Sequence, residues 1–307
     1  MFKRNDSVLE TLILNKKDFE EPGLHRISNH KDGGKPEPKV NIIFVHGLMG
    51  HPITTWHRDN KCNKDCFPFW FEDEQELSDL SILSFGYEAA RSSWEGTGNA
   101  MSIYEQASYL LYCLENYAEE YGIGKRPLIF VTHSLGGLVV KEMLRTANSK
   151  PGKEVIIEQT KGIVFLGTPH QGSHLANIFS RLNIFTQATV LVRQLKTQNN
   201  DTYLTQLNDW FADNFIRLNL GVIVFYETQP VVRIKALRIG KVVERESAKL
   251  NIGNVENIPV PADHFKIAQP KNKETEVYRG VKRFIKACLK NYSDQAKEGN
   301  FEQSLNP

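Results

Sequence analysis

Residues 127 to 144 read PLIFVTHSLGGLVVKEML. An apolar, β-rich run gives way to Thr132-His133-Ser134, then to two glycines, then to a helix-forming stretch. The run shows no polar–apolar alternation, which is the pattern of a strand buried on both faces of a parallel sheet. A helix that starts directly after such a strand must pass close to it, so the turn needs small residues. Gly136 meets that need two positions after Ser134. Thr132, two positions before it, is β-branched and fits if its side chain points away from the helix. A serine at this place is either the N-cap of the helix or a hydroxyl lifted out on a strained turn. The stretch read alone leaves both open.

Similar apolar runs occur at 40 to 47 (VNIIFVHG), 80 to 87 (LSILSFGY), 161 to 169 (KGIVFLGTP) and 220 to 228 (LGVIVFYET). Helical patterns lie between several of them. SIYEQASYLLYCLENYAEEYG places Ile103, Ala107, Leu110, Leu111, Leu114, Tyr117, Ala118 and Tyr121 on one stripe ending at Gly122, as an amphipathic helix with a glycine cap does. ETEVYRGVKRFIKACLK supplies a last helix. The alternation predicts an α/β fold, a mostly parallel sheet with helices on both faces. SVLETLIL and GLHRIS are expected to form a hairpin at the sheet edge, and DGGKPEPK a surface loop. The stretch from about 173 to 219 is helical in pattern and too long for a plain connection, so it is expected to be an inserted cap. Residues 1–290 then form one domain, and the polar residues 291–307 a disordered tail.

The 38 basic and 36 acidic residues are interleaved, with a net charge of +2, and no dense Lys/Arg run is present. That argues against nucleic acid as a partner. MFKRNDSVLETL has no uninterrupted apolar core of the kind a signal peptide needs, and no run approaches the ~20 apolar residues that span a bilayer. The expectation is a soluble, cytoplasmic protein. Cys113 and Cys288 fall in apolar helical patterns and read as small buried hydrophobes. Cys62 and Cys66 could join His57 in a partial zinc site, but a structural site needs four ligands and no fourth is evident. No metal and no cofactor is expected.

In open α/β sheets, ligands bind beyond the carboxyl ends of the strands. Those ends carry His46-Gly47-Leu48-Met49-Gly50, then His133-Ser134-Leu135-Gly136-Gly137, then Gly167-Thr168-Pro169-His170-Gln171-Gly172-Ser173, then Glu227. A serine hydroxyl is a weak nucleophile at neutral pH unless an imidazole takes its proton and an acid orients that imidazole. Ser134 is the candidate nucleophile. His264, in the Pro-bounded loop PVPADHFKIAQP, is the candidate base, ahead of His170 and His174, which follow Ser134 by only one strand. Glu227, Glu244, Glu246 and Asp263 all fall in the interval for the acid. Glu227 is first choice because it directly follows an apolar strand. Glu246 is the alternative, if KVVERESAKL is the last strand. The amides of Leu48 and Leu135 are the candidate oxyanion donors. In the cap, Phe179, Leu182, Phe185 and Leu191 are candidates to line an acyl pocket, against plain burial on the main domain.

Several of these motifs, in this order, resemble the α/β-hydrolase, lipase-like family that includes the serine-active-site-containing protein and related bacterial and fungal effector hydrolase domains. The motifs are HGLMG followed by TTW, FPFWF, THSLGGLVVKEML, GTPHQGS, FYET, VVERESA and PADHFKIAQP, and they cover most of the chain. The resemblance implies an α/β-hydrolase fold with a cap after GTPHQGS, Ser134 as nucleophile, His264 as base, Glu227 as acid, and lipid or other acyl esters as substrates. It departs from the common pattern at Thr132, where many hydrolases have glycine. Competing readings are a non-catalytic interaction module on the same scaffold, a thioesterase or acyltransferase using the same acyl-enzyme, or an immune-type effector with a protein partner. Peripheral membrane contact through the cap is a further expectation.

Overall fold

The computed structural model describes residues 19–28, 37–48, 50–58, 65–77, 79–87, 102–171, 200–232, 238–240, 242–253 and 255–305. Its centre is a seven-stranded sheet of β1 (Gly23–Arg26), β2 (Val40–Val45), β3 (Leu80–Gly86), β4 (Leu128–His133), β5 (Thr160–Leu166), β6 (Gly221–Glu227) and β9 (Glu256–Val260), in the order β1-β3-β2-β4-β5-β6-β9. Only β1 runs antiparallel, pairing Leu24 with Phe85 at one edge. It comes from the GLHRIS half of the expected edge hairpin; SVLETLIL lies outside the described residues. A two-stranded ribbon, β7 (Val231–Val232) and β8 (Arg238–Gly240), lies apart from this sheet.

The unbroken apolar runs form buried strands because each side of the sheet has its own core. Successive side chains of a strand point to opposite faces. Ile43 and Val45 of β2, Leu128 and Phe130 of β4, and Ile163 and Phe165 of β5 therefore join one core. Their neighbours Ile42, Phe44, Ile129, Val131, Val164 and Leu166 join the other. The first face is covered by α1 (Ile103–Asn116), α3 (Gly136–Ser149), the short α4 (Glu154–Gln159) and α5 (Asn200–Asn214). The second is covered by α7 (Glu276–Leu305) and the short 3-10 helix Phe67–Phe71, whose rings surround Tyr278. Such aromatic pairs add about 0.5–1.5 kcal/mol each beyond area burial.

The helices differ from expectation in three places. The long amphipathic pattern at 103 to 121 divides at Tyr117 into α1 and α2 (Ala118–Tyr121). α1 opens on a capping box between Ser102 and Glu105, and Gly122 at φ 64° closes α2. α5, at the end of the stretch expected to form the cap, packs into the core through Leu204 and Phe211. The rest of that stretch, with Phe179, Leu182, Phe185, Leu191 and His174, lies outside the described residues. α7 continues to Leu305 through residues expected to form a disordered tail, because Gln, Ala, Lys and Glu are good helix formers and no proline intervenes before Pro307.

β9 has no counterpart among the five apolar runs of the sequence, and its composition explains why. ENIPV carries Glu, Asn and Pro, and most of it is partly or fully exposed. As an edge strand it tolerates Pro259, opposite Tyr226. KVVERESAKL, considered as the last strand, instead contains the helix α6 (Arg245–Ala248).

Candidate functional site

The strand-to-helix turn is built by its glycines and by one unusual backbone angle. Ser134 has φ 52°, a left-handed value that costs a non-glycine residue about 1–3 kcal/mol. The N-cap position of α3 is Leu135, with no side-chain cap bond. The Ser134 hydroxyl therefore serves elsewhere. A Cβ at Gly136 would stand 2.4 Å from the Val45 carbonyl oxygen and 2.5 Å from that of His46, so this position sets the close approach of α3 to β2. Thr132 pairs with Phe165, a member of the α3-side core, and so faces the helix instead of pointing away from it. It is accommodated there with its Oγ1 donating to the Val164 carbonyl at 2.9 Å.

Three of the candidate residues meet at the carboxyl end of the sheet. Ser134 Oγ lies 2.9 Å from His264 Nε2, and His264 Nδ1 lies 2.8 Å from Glu227 Oε1. All three side chains are buried. Glu227 Oε1 also accepts from the Val243 amide at 3.3 Å, while Oε2 has no hydrogen-bond partner among the described residues. This fixes a tautomer: Nδ1 carries the hydrogen toward the carboxylate and Nε2 offers its lone pair to the serine hydroxyl.

The other carboxylates stand apart. Asp263 is a local cap, accepting from the amides of Phe265 and Lys266 at 3.2 and 3.0 Å and from Lys266 Nζ at 2.6 Å. Glu246 is exposed on α6, 2.9 Å from Lys249 Nζ. Glu244 is the N-cap residue of α6.

The HGLMG loop lies directly against the nucleophile candidate. A Cβ on Gly47 would fall 2.7 Å from Ser134 Cβ and 3.3 Å from Ser134 Oγ, so only glycine lets this backbone approach. The loop is held by Tyr87, a residue that belongs to none of the sequence motifs although it ends an apolar run. The Tyr87 ring stacks on His46 at 4.2 Å, its hydroxyl donates to the His46 carbonyl at 2.6 Å, and its amide donates to His46 Nε2 at 3.5 Å. His46 Nδ1 donates to the Gly47 carbonyl at 2.9 Å. Leu48 follows at the turn, and Leu135 at the start of α3; their amides are the candidate pair of donors.

His170 is not near this role. Its Nδ1 lies 2.9 Å from Nζ of Lys141, which is fully buried, donates to Asn208 Oδ1 at 2.6 Å, and sits over the rings of Phe165 and Phe211. The cluster ties α3 to α5. Burial holds Lys141 well below the usual lysine range, and burial together with the neighbouring Lys141 holds His170 well below the usual histidine range. Cys66 is a free, buried thiol pushed upward by burial. Cys62 lies outside the described residues, and among the described residues no three His, Cys, Asp or Glu side chains gather as a metal site. No helix among them is long and apolar enough to cross a membrane.

Burial also depresses two imidazoles beside the site, His46 to about 4 and His133 to about 3. Their folded values lie below the unfolded 6.5, so the unfolded chain binds more protons and stability rises with pH. The contribution is fully present above about pH 6.5 and is lost as pH falls toward those folded values, by up to about 1.4 kcal/mol per pH unit for each ring. Urea midpoints should therefore drop steeply between about pH 6.5 and about pH 4. A flat midpoint over that window would show that these rings are hydrated or paired.

Comparison with known proteins agrees with this architecture. Residues 38–223 match the family model described as the PGAP1-like alpha/beta domain. The chain is 32% identical to Protein SERAC1 of Bos taurus over 82% of its own length and 39% of that protein's. It is 31% identical to Protein SERAC1 of Homo sapiens, again over 82% and 39%. It thus spans about two-fifths of the length of these curated relatives. Among solved structures, the mature lipase BlEst2 of Bacillus licheniformis superposes with a TM-score of 0.50 at 18% identity, over 80% of this chain and 91% of that one. The fold is that of the lipase-like α/β-hydrolases, and the chain belongs to the PGAP1-like α/β domain family.

Proposed function

We propose that this protein is a serine hydrolase that cleaves carboxylic esters, with lipid or other acyl esters as its substrate class. The observation that carries the reading is the pair of contacts that the His264 ring makes, Nε2 to Ser134 Oγ at 2.9 Å and Nδ1 to Glu227 Oε1 at 2.8 Å. It is assembled from three strand ends at a left-handed serine. Lipase BlEst2 is a neighbour in fold, which is compatible with the ester class.

In this reading His264 Nε2 takes the hydroxyl proton as Ser134 Oγ attacks the acyl carbon, and Glu227 stabilises the imidazolium. The negative charge moves onto the carbonyl oxygen, where the amides of Leu48 and Leu135 receive it. Each such donor is worth about 3 kcal/mol in comparable sites. Collapse breaks the C–O bond, and the proton on His264 goes to the departing alkoxide. Water, deprotonated by the same ring, then attacks the acyl-serine; collapse frees the acid, and the proton on His264 returns to Ser134 Oγ. Hydroxyl, imidazole, carboxylate, two backbone amides and water supply every group these steps use, so the chemistry calls for no cofactor. Acyl transfer to an alcohol, or attack on a thioester, would use the same intermediate.

The deciding experiment combines a fluorophosphonate probe, its site of attachment mapped by mass spectrometry, with turnover of p-nitrophenyl esters of graded chain length, phospholipids and acyl thioesters. Attachment at Ser134 and turnover of oxygen esters are expected. Absence of attachment from a folded protein would leave the interaction-module reading in its place. Contact of Phe179, Leu182, Phe185 and Leu191 with an acyl chain or a bilayer is part of the proposal, and dependence on chain length is its readout.

A further inference from the structure

We propose that His133 is a positioning residue for this reaction, holding the main chain of His264 and thereby setting where the base stands over Ser134. The inference rests on the reading of Ser134 and His264 as nucleophile and base. His133 ends β4, immediately before Ser134. Its Nε2 donates to the His264 carbonyl oxygen at 2.8 Å, in a buried contact between residues 131 positions apart. Two consecutive residues thus grip one residue at two points, its ring nitrogen from Ser134 and its backbone from His133.

The 3-10 turn that follows leaves that carbonyl available, since Ile267 N donates to Asp263 and Ala268 N to Phe265. The Trp56 and His133 rings meet in a T-shaped contact, with centroids 6.4 Å apart. The two imidazoles are tilted, 5.0 Å apart. Desolvation keeps His133 neutral at neutral pH, which matters at this separation. A second positive ring would oppose the imidazolium that forms on His264, whereas a neutral Nε2–H donor fixes its backbone without that penalty.

Gln and Asn substitutions separate the donor from mere polarity. The Gln amide reaches the place of Nε2, while the Asn amide stops near the place of Nδ1. His133→Asn is expected to lower kcat and the fluorophosphonate inactivation rate roughly 10- to 100-fold, as displacement of a reacting group by about 1 Å does, with KM little changed. His133→Gln should recover most of the loss. His133→Phe, which keeps the ring and drops the donor, should resemble Asn. Thermal midpoints are measured alongside. Equal rates for Gln and Asn, whether both wild-type-like or both impaired, would overturn the role assigned to the donor. If His133→Asn does not fold, a His133→Gln protein no faster than His133→Phe would overturn it equally. Ser134→Ala serves as the separate control: continued labelling there would overturn the underlying site, whereas a silent Ser134→Ala with unimpaired His133 variants would overturn only the positioning role.

Discussion

Ser134→Ala is expected to lower kcat on an activated ester by about six orders of magnitude, the scale on which a serine nucleophile acts when base and acid are already aligned. Deleting the hydroxyl removes the group 2.9 Å from His264 Nε2 that the proposed reaction acylates. The candidate donors at Leu48 and Leu135 remain, so a residual rate of about 10³ to 10⁴ over water should persist. Binding should survive, because the loop holding Leu48 is untouched. Single-turnover assays with excess enzyme check this, since they detect acylation even when turnover is slow. Activity within tenfold of the parent would remove Ser134 from the chemistry.

Glu227→Gln should cost about 10⁴ in kcat, by the logic of an acid that fixes a tautomer and balances an imidazolium. The glutamine can still accept from His264 Nδ1, but it brings no charge, and a flipped amide would favour the wrong tautomer. Because the carboxylate is buried with Oε2 unpartnered among the described residues, neutralising it relieves a desolvated charge. The expected signature is a large loss of rate with the thermal midpoint maintained. Glu246→Gln is the matched control: its side chain is 73% exposed and pairs with Lys249, so kcat should change less than twofold. The opposite ranking of these two variants would reassign the acid.

The parts of the fold that could be read from the sequence are those in which local composition and tertiary role coincide. The five apolar runs are strands because both faces of the sheet are covered, and that demand is written residue by residue into VNIIFV and LIFV. β9 obeys a different demand, at an edge where Pro259 and exposed polar residues are tolerated, so its sequence resembles a loop. Glu227 and Glu246 could be ordered but not separated from sequence, since the choice turned on whether residues 242 to 248 continue as strand or coil into α6.

Long-range contacts were less visible. Nothing near His133 announces a carbonyl 131 residues away. Lys141 sits in an amphipathic helix where a lysine ordinarily faces water, and its burial depends on Asn208 from a helix much later in the chain. Thr132 departs from the common motif, and only its hydroxyl bond to β5 shows how a β-branched residue fits there.

The aromatic seam beneath α7 has a consequence for the order in which the molecule can be completed. Tyr278, whose hydroxyl reaches the Trp70 carbonyl at 3.2 Å across 208 positions, fills a pocket made by Phe67, Trp70 and Phe71. During synthesis those early rings leave the ribosome long before their cover does, and an uncovered apolar face of this kind is what invites aggregation. The loop that carries His264 emerges in the same late interval, just ahead of α7. A nascent chain therefore carries Ser134 without His264, and the two-sided core closes at nearly the same moment as these two residues can first meet.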